Sequence, residues 1–421
     1  MDQRVKGSTR RQFLRTAGLG AAGIVAAGGG GFAGRSLAAA GDPDPTFSSD
    51  ATMALAATDG HITLPNRPND KPLYVFGFIH VPVAASVADL EATYKSRAQM
   101  PAPILGFRQE EDIRITLTNL GLQGRPDLTD SHTIHWHGFR APVTLMDGVP
   151  EVSIAVPEQR QFTYFYRPHD PGTYMYHCHF EDVEHVQMGM TSIVFVRPIQ
   201  DGNTTLYPSG KYVYNDGDGS TGFDREFALL LNEIWSTVHD NDELIQESIH
   251  TNYKPDYFTL NGRVYPQTIQ LNQDPSLPSQ PVSSLIQCNP GEKVLLRLAN
   301  LGYQQHAMQL PGIQMKVVGE DATLLRSGLG ADLSYKANTI YIGPGEARDV
   351  IFTAPAYDPA RPGGSDGPGN SRNYNVYFFK NRSAWKLSNN GAAGPGGMMT
   401  EVRVYQGGPL LPQTTPNQTY A

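Results

Sequence analysis

A strand-like segment of this chain occurs twice. Residues 111–121 read EDIRITLTNLG and residues 292–302 read EKVLLRLANLG. Two more pairs follow in the same order: SIAVPEQRQFTYFY (153–166) with TIYIGPGEARDVIF (339–352), and MTSIVFV (190–196) with MTEVRVY (399–405). A repeat on this scale means one β-rich unit built twice, and a length of 421 residues suits two domains. The repeated segments are rich in β-branched and aromatic residues, often alternate, and end at Gly, Pro or Asn, as strands between turns do. No long stretch has a 3.6-residue period, so only short helices in loops remain open. The 43 glycines and 32 prolines belong to such a turn-rich fold.

The repeat sets the expected organisation. The first unit spans 50–200 and the second 226–408. Between them 201–225, rich in Asp, Gly and Asn, reads as a linker. The Gly/Pro-rich stretch 360–373 reads as a loop inserted in the second unit.

The N-terminus stands apart. Thr9-Arg10-Arg11-Gln12-Phe13-Leu14-Arg15 has the twin-arginine form, and the uncharged stretch that follows, to Gly34, is too weakly apolar to span a bilayer. Ala38-Ala39-Ala40 has the form of a cleavage site. Residues 1–40 are therefore expected to be a signal peptide, with the protein exported by the twin-arginine route to the periplasm or the outside. Its removal takes six basic residues and one acidic one, moving the formal charge from −8 to −13. An acidic mature chain does not invite nucleic acid or anionic membranes. No other segment is apolar enough for a membrane span.

Seven of the twelve histidines fall between His132 and His185. In SHTIHWHG, residues two apart on a strand share a face and residues three apart do not. His135 and His137 therefore face one way and His132 the other. In HCH, His177 and His179 share a face opposite to Cys178. On neighbouring strands, the two HxH pairs form one four-histidine cluster, and His132 meets Cys178 inside the sandwich. His185 and Met190 follow downstream. Two His, one Cys and one Met make the ligand set of a blue-copper electron-transfer centre. Zinc, which also takes His and Cys, is the competing metal, but the Met and the lack of a second nearby cysteine argue against it. Cys288 reads as a small buried residue at a strand start.

At these residues the chain resembles the multicopper oxidases, laccase-like enzymes built from cupredoxin domains. The stretch HCHFEDVEHVQMGM (177–190) is similar to their closing motif, with a Cys-to-His loop slightly longer than in laccases. The resemblance implies an all-β fold of two cupredoxin-like Greek-key sandwiches in tandem. It implies copper, with His132, Cys178, His185 and Met190 at a type 1 site and His135, His137, His177 and His179 in a type 2/type 3 cluster. It also implies a small reducing substrate, oxygen as acceptor, and a homotrimer. Asp147, in LMDGVP, matches an aspartate that supplies protons in laccases; its other reading is a turn residue before Gly148. Glu181, Asp182 and Glu184 read as a solvated loop; the alternative reading is that they bias which cationic or metal substrates approach.

The second unit departs from the pattern. HAMQLPG (306–312) stands against HTIHWHG (132–138), which puts His306 in the place of His132, and Gln309 and Pro311 in the places of His135 and His137. YFFKN (377–381) stands against YHCHF, with Phe378, Phe379 and Lys380 for His177, Cys178 and His179. A full cluster in two-domain oxidases takes histidines from both domains, and the second unit holds only His239, His250 and His306. Three readings stay open: an oxidase with a reduced cluster, a blue-copper electron-transfer or copper-binding protein, and a chain completed by a different partner. A nitrite-reductase-like enzyme is a further alternative, but that family has Asp where His135 stands and a small residue where His179 stands.

Overall fold

Alternating strands of both repeats fold into two β-sandwiches. The computed structural model describes residues 47–48, 52–367 and 371–420. All of these fall in one compact unit; Met1–Asp42, and with it the expected signal segment 1–40, lies outside the described residues.

The first sandwich contains β1 (Phe47–Ser48), β2 (Thr52–Ile62), β3 (Leu73–Val81), β4 (Ile104–Arg108), β5 (Ile113–Asn119), β6 (His135–His137), β7 (Gln161–Tyr166), β8 (Gly172–His177) and β9 (Thr191–Arg197). One sheet runs β1-β4-β9-β8-β6 and the other β3-β2-β5-β7. Leu55, Phe76, Ile115 and Tyr164 of one sheet meet Phe107, Trp136, Tyr176 and Val194 of the other in a shared core, so the inward positions of both sheets leave water together. Helix α1 (Val87–Tyr94) follows β3, and α2 (Asp182–Met188) lies between β8 and β9.

The second sandwich follows from β10 (Arg225–Ile234), α3 (Ser236–Glu243), β11 (Tyr257–Leu260), β12 (Ile286–Cys288), β13 (Lys293–Asn300), β14 (His306–Gln309) and β15 (Met315–Glu320), then β16 (Thr323–Leu324), β17 (Tyr335–Ala337), β18 (Thr339–Ile342), β19 (Glu346–Thr353), β20 (Gly363–Ser365), β21 (Asn373–Asn381) and β22 (Met399–Tyr405). Its sheets run β11-β10-β13-β19-β15-β16 and β12-β22-β21-β14-β18. The chain thus has the expected all-β fold of tandem sandwiches.

The sandwiches pack on each other. Met175, Ile193 and Phe195 of the first meet Ala228, Leu230, Ala299 and Ala347 of the second in an apolar layer. Beside it runs a buried ion network. Glu226 pairs with Arg197 on one oxygen and with Arg297 on the other, at 3.0 Å, and Arg297 reaches Asp349 at 3.5 Å. Thr173 of β8 donates to the same Asp349 at 2.6 Å. Residues 201–225 are packed rather than strung out: Tyr212, Val213 and Phe223 are buried. The stretch 360–373 contains β20 and a part outside the described residues. Cys288 is buried at the end of β12, and both cysteines are free. No described helix is long and apolar enough to cross a membrane.

Strand pairing corrects one sequence-based correspondence. His135 lies opposite His177, and its second-unit counterpart Gln309 lies opposite Lys380. Cys178 donates its N–H to the carbonyl of Met190 at 3.1 Å, and Asn381 donates to that of Met398 at 2.9 Å. The counterparts of His177, Cys178, His179 and Met190 are therefore Lys380, Asn381, Arg382 and Met398, not Phe378, Phe379, Lys380 and Met399. A slip of two residues along a strand keeps every side chain on the same face, so alternation alone could not detect it. The doublet Met398-Met399 allowed the remaining one-residue slip.

Candidate metal centre

β6 and β8 place two sets of donors back to back. Cys178 follows the last residue of β8, buried, and accepts a hydrogen bond from Thr133 N at 3.4 Å. His132 Nδ1 lies 3.8 Å from its Sγ and His185 Nδ1 lies 3.3 Å away. The two imidazole centroids are 4.9 Å apart. All three side chains are buried, and their donor atoms lie within 4.8 Å of one another.

Helix α2 brings His185 there. Gly189 ends the helix with φ 122, and a Cβ on it would sit 2.8 Å from the carbonyl oxygen of Phe76, so only glycine fits this turn. The chain then enters β9 through Met190, which is buried in the same core as Cys178. Met190 N donates to the His185 carbonyl at 2.9 Å while its own carbonyl accepts from Cys178 N. Its backbone thus ties the two neighbouring donors together.

On the other face His135, His137 and His177 form a second group with donor atoms within 4.8 Å of one another. His135 Nδ1 is 2.6 Å from the Asp147 carbonyl and His177 Nδ1 is 2.8 Å from the Cys178 carbonyl. Each of these Nδ1 atoms must carry the proton, which leaves both Nε2 lone pairs free to bind. His179 packs at the rim, its ring 5.4 Å from His177 and 5.0 Å from His135, outside the converging three. Gly345 of the second sandwich closes one side: a Cβ there would lie 3.0 Å from His137 Nε2.

Electrostatics separates the two groups. Burial holds His135 and His137 below their ordinary pKa and pushes His177 down to about 3. Burial also holds His132 well below its ordinary value. These imidazoles are neutral and ready to ligate. His185 differs: burial works against its charge, but Cys178 and Asp130 outweigh that and hold it raised to about 10. The first pocket is thus built around a buried sulfur flanked by two imidazoles. A thiolate with two imidazoles in one group, and three imidazoles in the other, fit copper in both.

Asp147 meets His135 from behind. Its carbonyl accepts the Nδ1 proton and its carboxylate lies 3.7 Å from the same atom, on the side of the ring away from Nε2. Asp130, which the sequence did not single out, lies with Oδ2 3.8 Å from His185 Nε2, and Glu181 joins the two within 4.8 Å. Glu181 and Asp182 are exposed, as expected of a solvated segment, but that segment is the start of a helix. Glu184 is half-buried, its pKa raised to about 7 by burial and the nearby Asp242.

Two family signatures, each described as multicopper oxidase, match residues 88–201 and 225–361. The chain belongs to the multicopper oxidase family. Membership implies copper as its cofactor. Laccase-5 of Arabidopsis thaliana is 27% identical over 280 residues, covering 64% of this chain and 41% of the relative. A laccase of Cryphonectria parasitica is 25% identical over 259 residues, covering 60% and 36%. The chain thus spans about two fifths of the length of these relatives. Among solved structures, the blue copper oxidase from Nitrosomonas europaea superposes with TM-score 0.59 at 22% identity, over 84% of this chain and 85% of that one. The copper nitrite reductase from Nitrosomonas europaea superposes with TM-score 0.56 at 16% identity, over 87% and 97%. At these identities both likenesses speak for the cupredoxin fold alone.

Proposed function

We propose that this multicopper oxidase is an exported copper oxidoreductase of laccase type. In this reading His132, Cys178, His185 and Met190 hold a type 1 copper, and His135, His137, His177 and His179 belong to a second copper site. One tripeptide carries the reading: Cys178 joins the first donor group while its covalent neighbours His177 and His179 belong with the opposite face. Copper, when bound, supplies one-electron exchange with a small reducing substrate and the reduction of oxygen.

The chain's own residues have separable duties. Cys178, His132 and His185 exclude water from the first pocket, since all three are buried. His185 Nε2 faces Asp130 and Glu181, which makes this edge the approach for the reductant and favours cationic donors. The Asp147 carbonyl fixes the tautomer of His135, and its partly exposed carboxylate is the proposed carrier of protons between solvent and the second site. The domain limits 50–200 and 226–408, the signal segment 1–40, twin-arginine export to the periplasm or outside, and a homotrimer belong to the same proposal.

A second reading is favoured by one observation. Only three of the four cluster histidines converge, and their second-unit counterparts are Gln309, Pro311, Lys380 and Arg382, none of which is an imidazole. A blue-copper electron-transfer protein with an incomplete oxygen site would show this. Metal content separates the two readings. Two or more coppers per chain, with oxygen uptake on a phenol or a reduced dye, support the oxidase. A single copper with blue absorption and no oxygen uptake would overturn it in favour of electron transfer.

A further inference from the structure

The second sandwich holds a buried polar cluster at the place of the first metal pocket. His306 stands where His132 stands, paired with Ile342 as His132 is with Val156. Asn381 stands where Cys178 stands and Met398 where Met190 stands, by the matching N–H to carbonyl bonds. Lys386, in the turn Ala384–Leu387, follows Asn381 at short range as His185 follows Cys178.

The chemistry of the cluster is specific. His306 Nε2 lies 2.6 Å from Glu233 Oε1, with both side chains fully buried. The carboxylate keeps the proton on Nε2, so Nδ1 carries a lone pair. Nδ1 is also the atom that His132 and His185 turn toward Cys178. Here it faces Asn381 Nδ2 at 3.1 Å and Lys386 Nζ at 3.4 Å. The Asn381 oxygen accepts from Ser383 N at 2.9 Å, which turns the amide nitrogen inward. That nitrogen also lies 3.4 Å from Met398 Sδ and 3.9 Å from Met308 Sδ. Lys386 donates in addition to the Gln305 carbonyl at 3.0 Å. An imidazole lone pair and two thioethers, all soft or borderline donors, thus converge on the Asn381 amide nitrogen, and the imidazole also meets the Lys386 ammonium.

We propose that the second sandwich keeps a type-1-shaped metal pocket closed from within, with Asn381 Nδ2 filling the point where the donors meet and the Lys386 ammonium standing beside it in the place of His185. A buried ion pair with no such history would not need two thioethers and an Nδ1 lone pair aimed at one point. Electron exchange is thereby confined to the first sandwich. The proposal rests on the first donor group's being a metal site, but its test does not require that group to hold metal.

The test places Asn381→Cys with Lys386→His in a Cys178→Ser background, where the first pocket has no thiolate, and titrates the protein with Co(II) and Cu(II). One further equivalent of metal over the Cys178→Ser parent is expected, with an intense thiolate-to-metal absorption that a further His306→Ala removes. A folded variant that binds no more metal than its parent overturns the proposal, and so does extra metal without that absorption. Should the double variant not fold, Lys386→Met and Glu233→Gln are compared singly and together in the otherwise unaltered chain. The ammonium balances Glu233, so the combination is expected to recover at least half of the melting-temperature loss of Lys386→Met. Additive losses overturn the proposal.

Discussion

His185 Nδ1 lies 3.3 Å from Cys178 Sγ although the two are seven positions apart in the chain. Helix α2 closes that distance by folding the intervening segment back, and Gly189 stops it before β9. The same tripeptide that ends in this contact sends His177 to the opposite face, where it meets His135 and His137. One strand end therefore serves two donor groups.

Cys178 is the only cysteine among the described residues close enough to serve either donor group. Cys178→Ser should abolish the blue absorption completely and lower copper content by one per chain, leaving the fold intact because Ser fits the volume. Optical spectra and metal analysis on the same sample check this. Surviving colour would mean that another residue supplies the sulfur ligand.

The metal-free protein should be most stable near neutral pH. His132, His135, His137 and His177 have folded pKa values lowered by burial. Their contribution is present above the unfolded value of about 6.5 and is lost as pH falls toward the folded values, by up to about 1.4 kcal/mol per pH unit per group. His185 has the opposite sign. Raised to about 10 by Cys178 and Asp130 against the effect of burial, it stabilises below about 6.5 and loses that contribution as pH rises through about 10. Calorimetric melting of the apoprotein from pH 4 to 10 should give a maximum between these limbs. A curve that rises steadily toward pH 4 would contradict the burial of the histidines.

The repeat and the alternation of strands were legible in the sequence because sheet patterning is local. So was the division of His135, His137 and His177 from His132 and Cys178, which follows from the pleat alone. Three features were not. Helix α2 is too short to show a period, so His185 looked like a loop residue. Asp130 reaches His185 only through tertiary folding, and nothing in TDSH marks it. The counterpart of Cys178 in the second unit was hidden because a two-residue slip leaves the inside and outside of a strand unchanged, and that of Met190 because Met398 and Met399 are adjacent.

Glu226 is the hinge of charge between the sandwiches. It accepts from Arg197 and Arg297, and Arg297 is fully buried. Glu226→Gln keeps the shape but leaves two guanidinium groups facing a neutral amide, with Asp349 as the remaining counter-charge. Breaking a buried ion pair in this way costs about 3–5 kcal/mol. Urea unfolding should show a loss of this size without a change in the blue absorption, since the network is separate from both donor groups. A loss below about 1 kcal/mol would show that water reaches the network.

Gly345 tests whether the second sandwich shapes the three-histidine site. Its φ of 76 suits glycine, its N–H donates to the Asn300 carbonyl at 2.8 Å, and a Cβ would come within 3.0 Å of His137 Nε2. Gly345→Ala therefore carries two costs. Backbone strain at positive φ lowers stability by about 1 kcal/mol or more, and the methyl group pushes His137 off its converging position. The first donor group, on the other face of β8, is untouched. The expected variant keeps its blue absorption but loses second-site copper, seen as a fall in copper per chain and in oxygen uptake. If copper content and uptake match those of the parent while only melting temperature drops, Gly345 serves the turn alone and His137 has room to move.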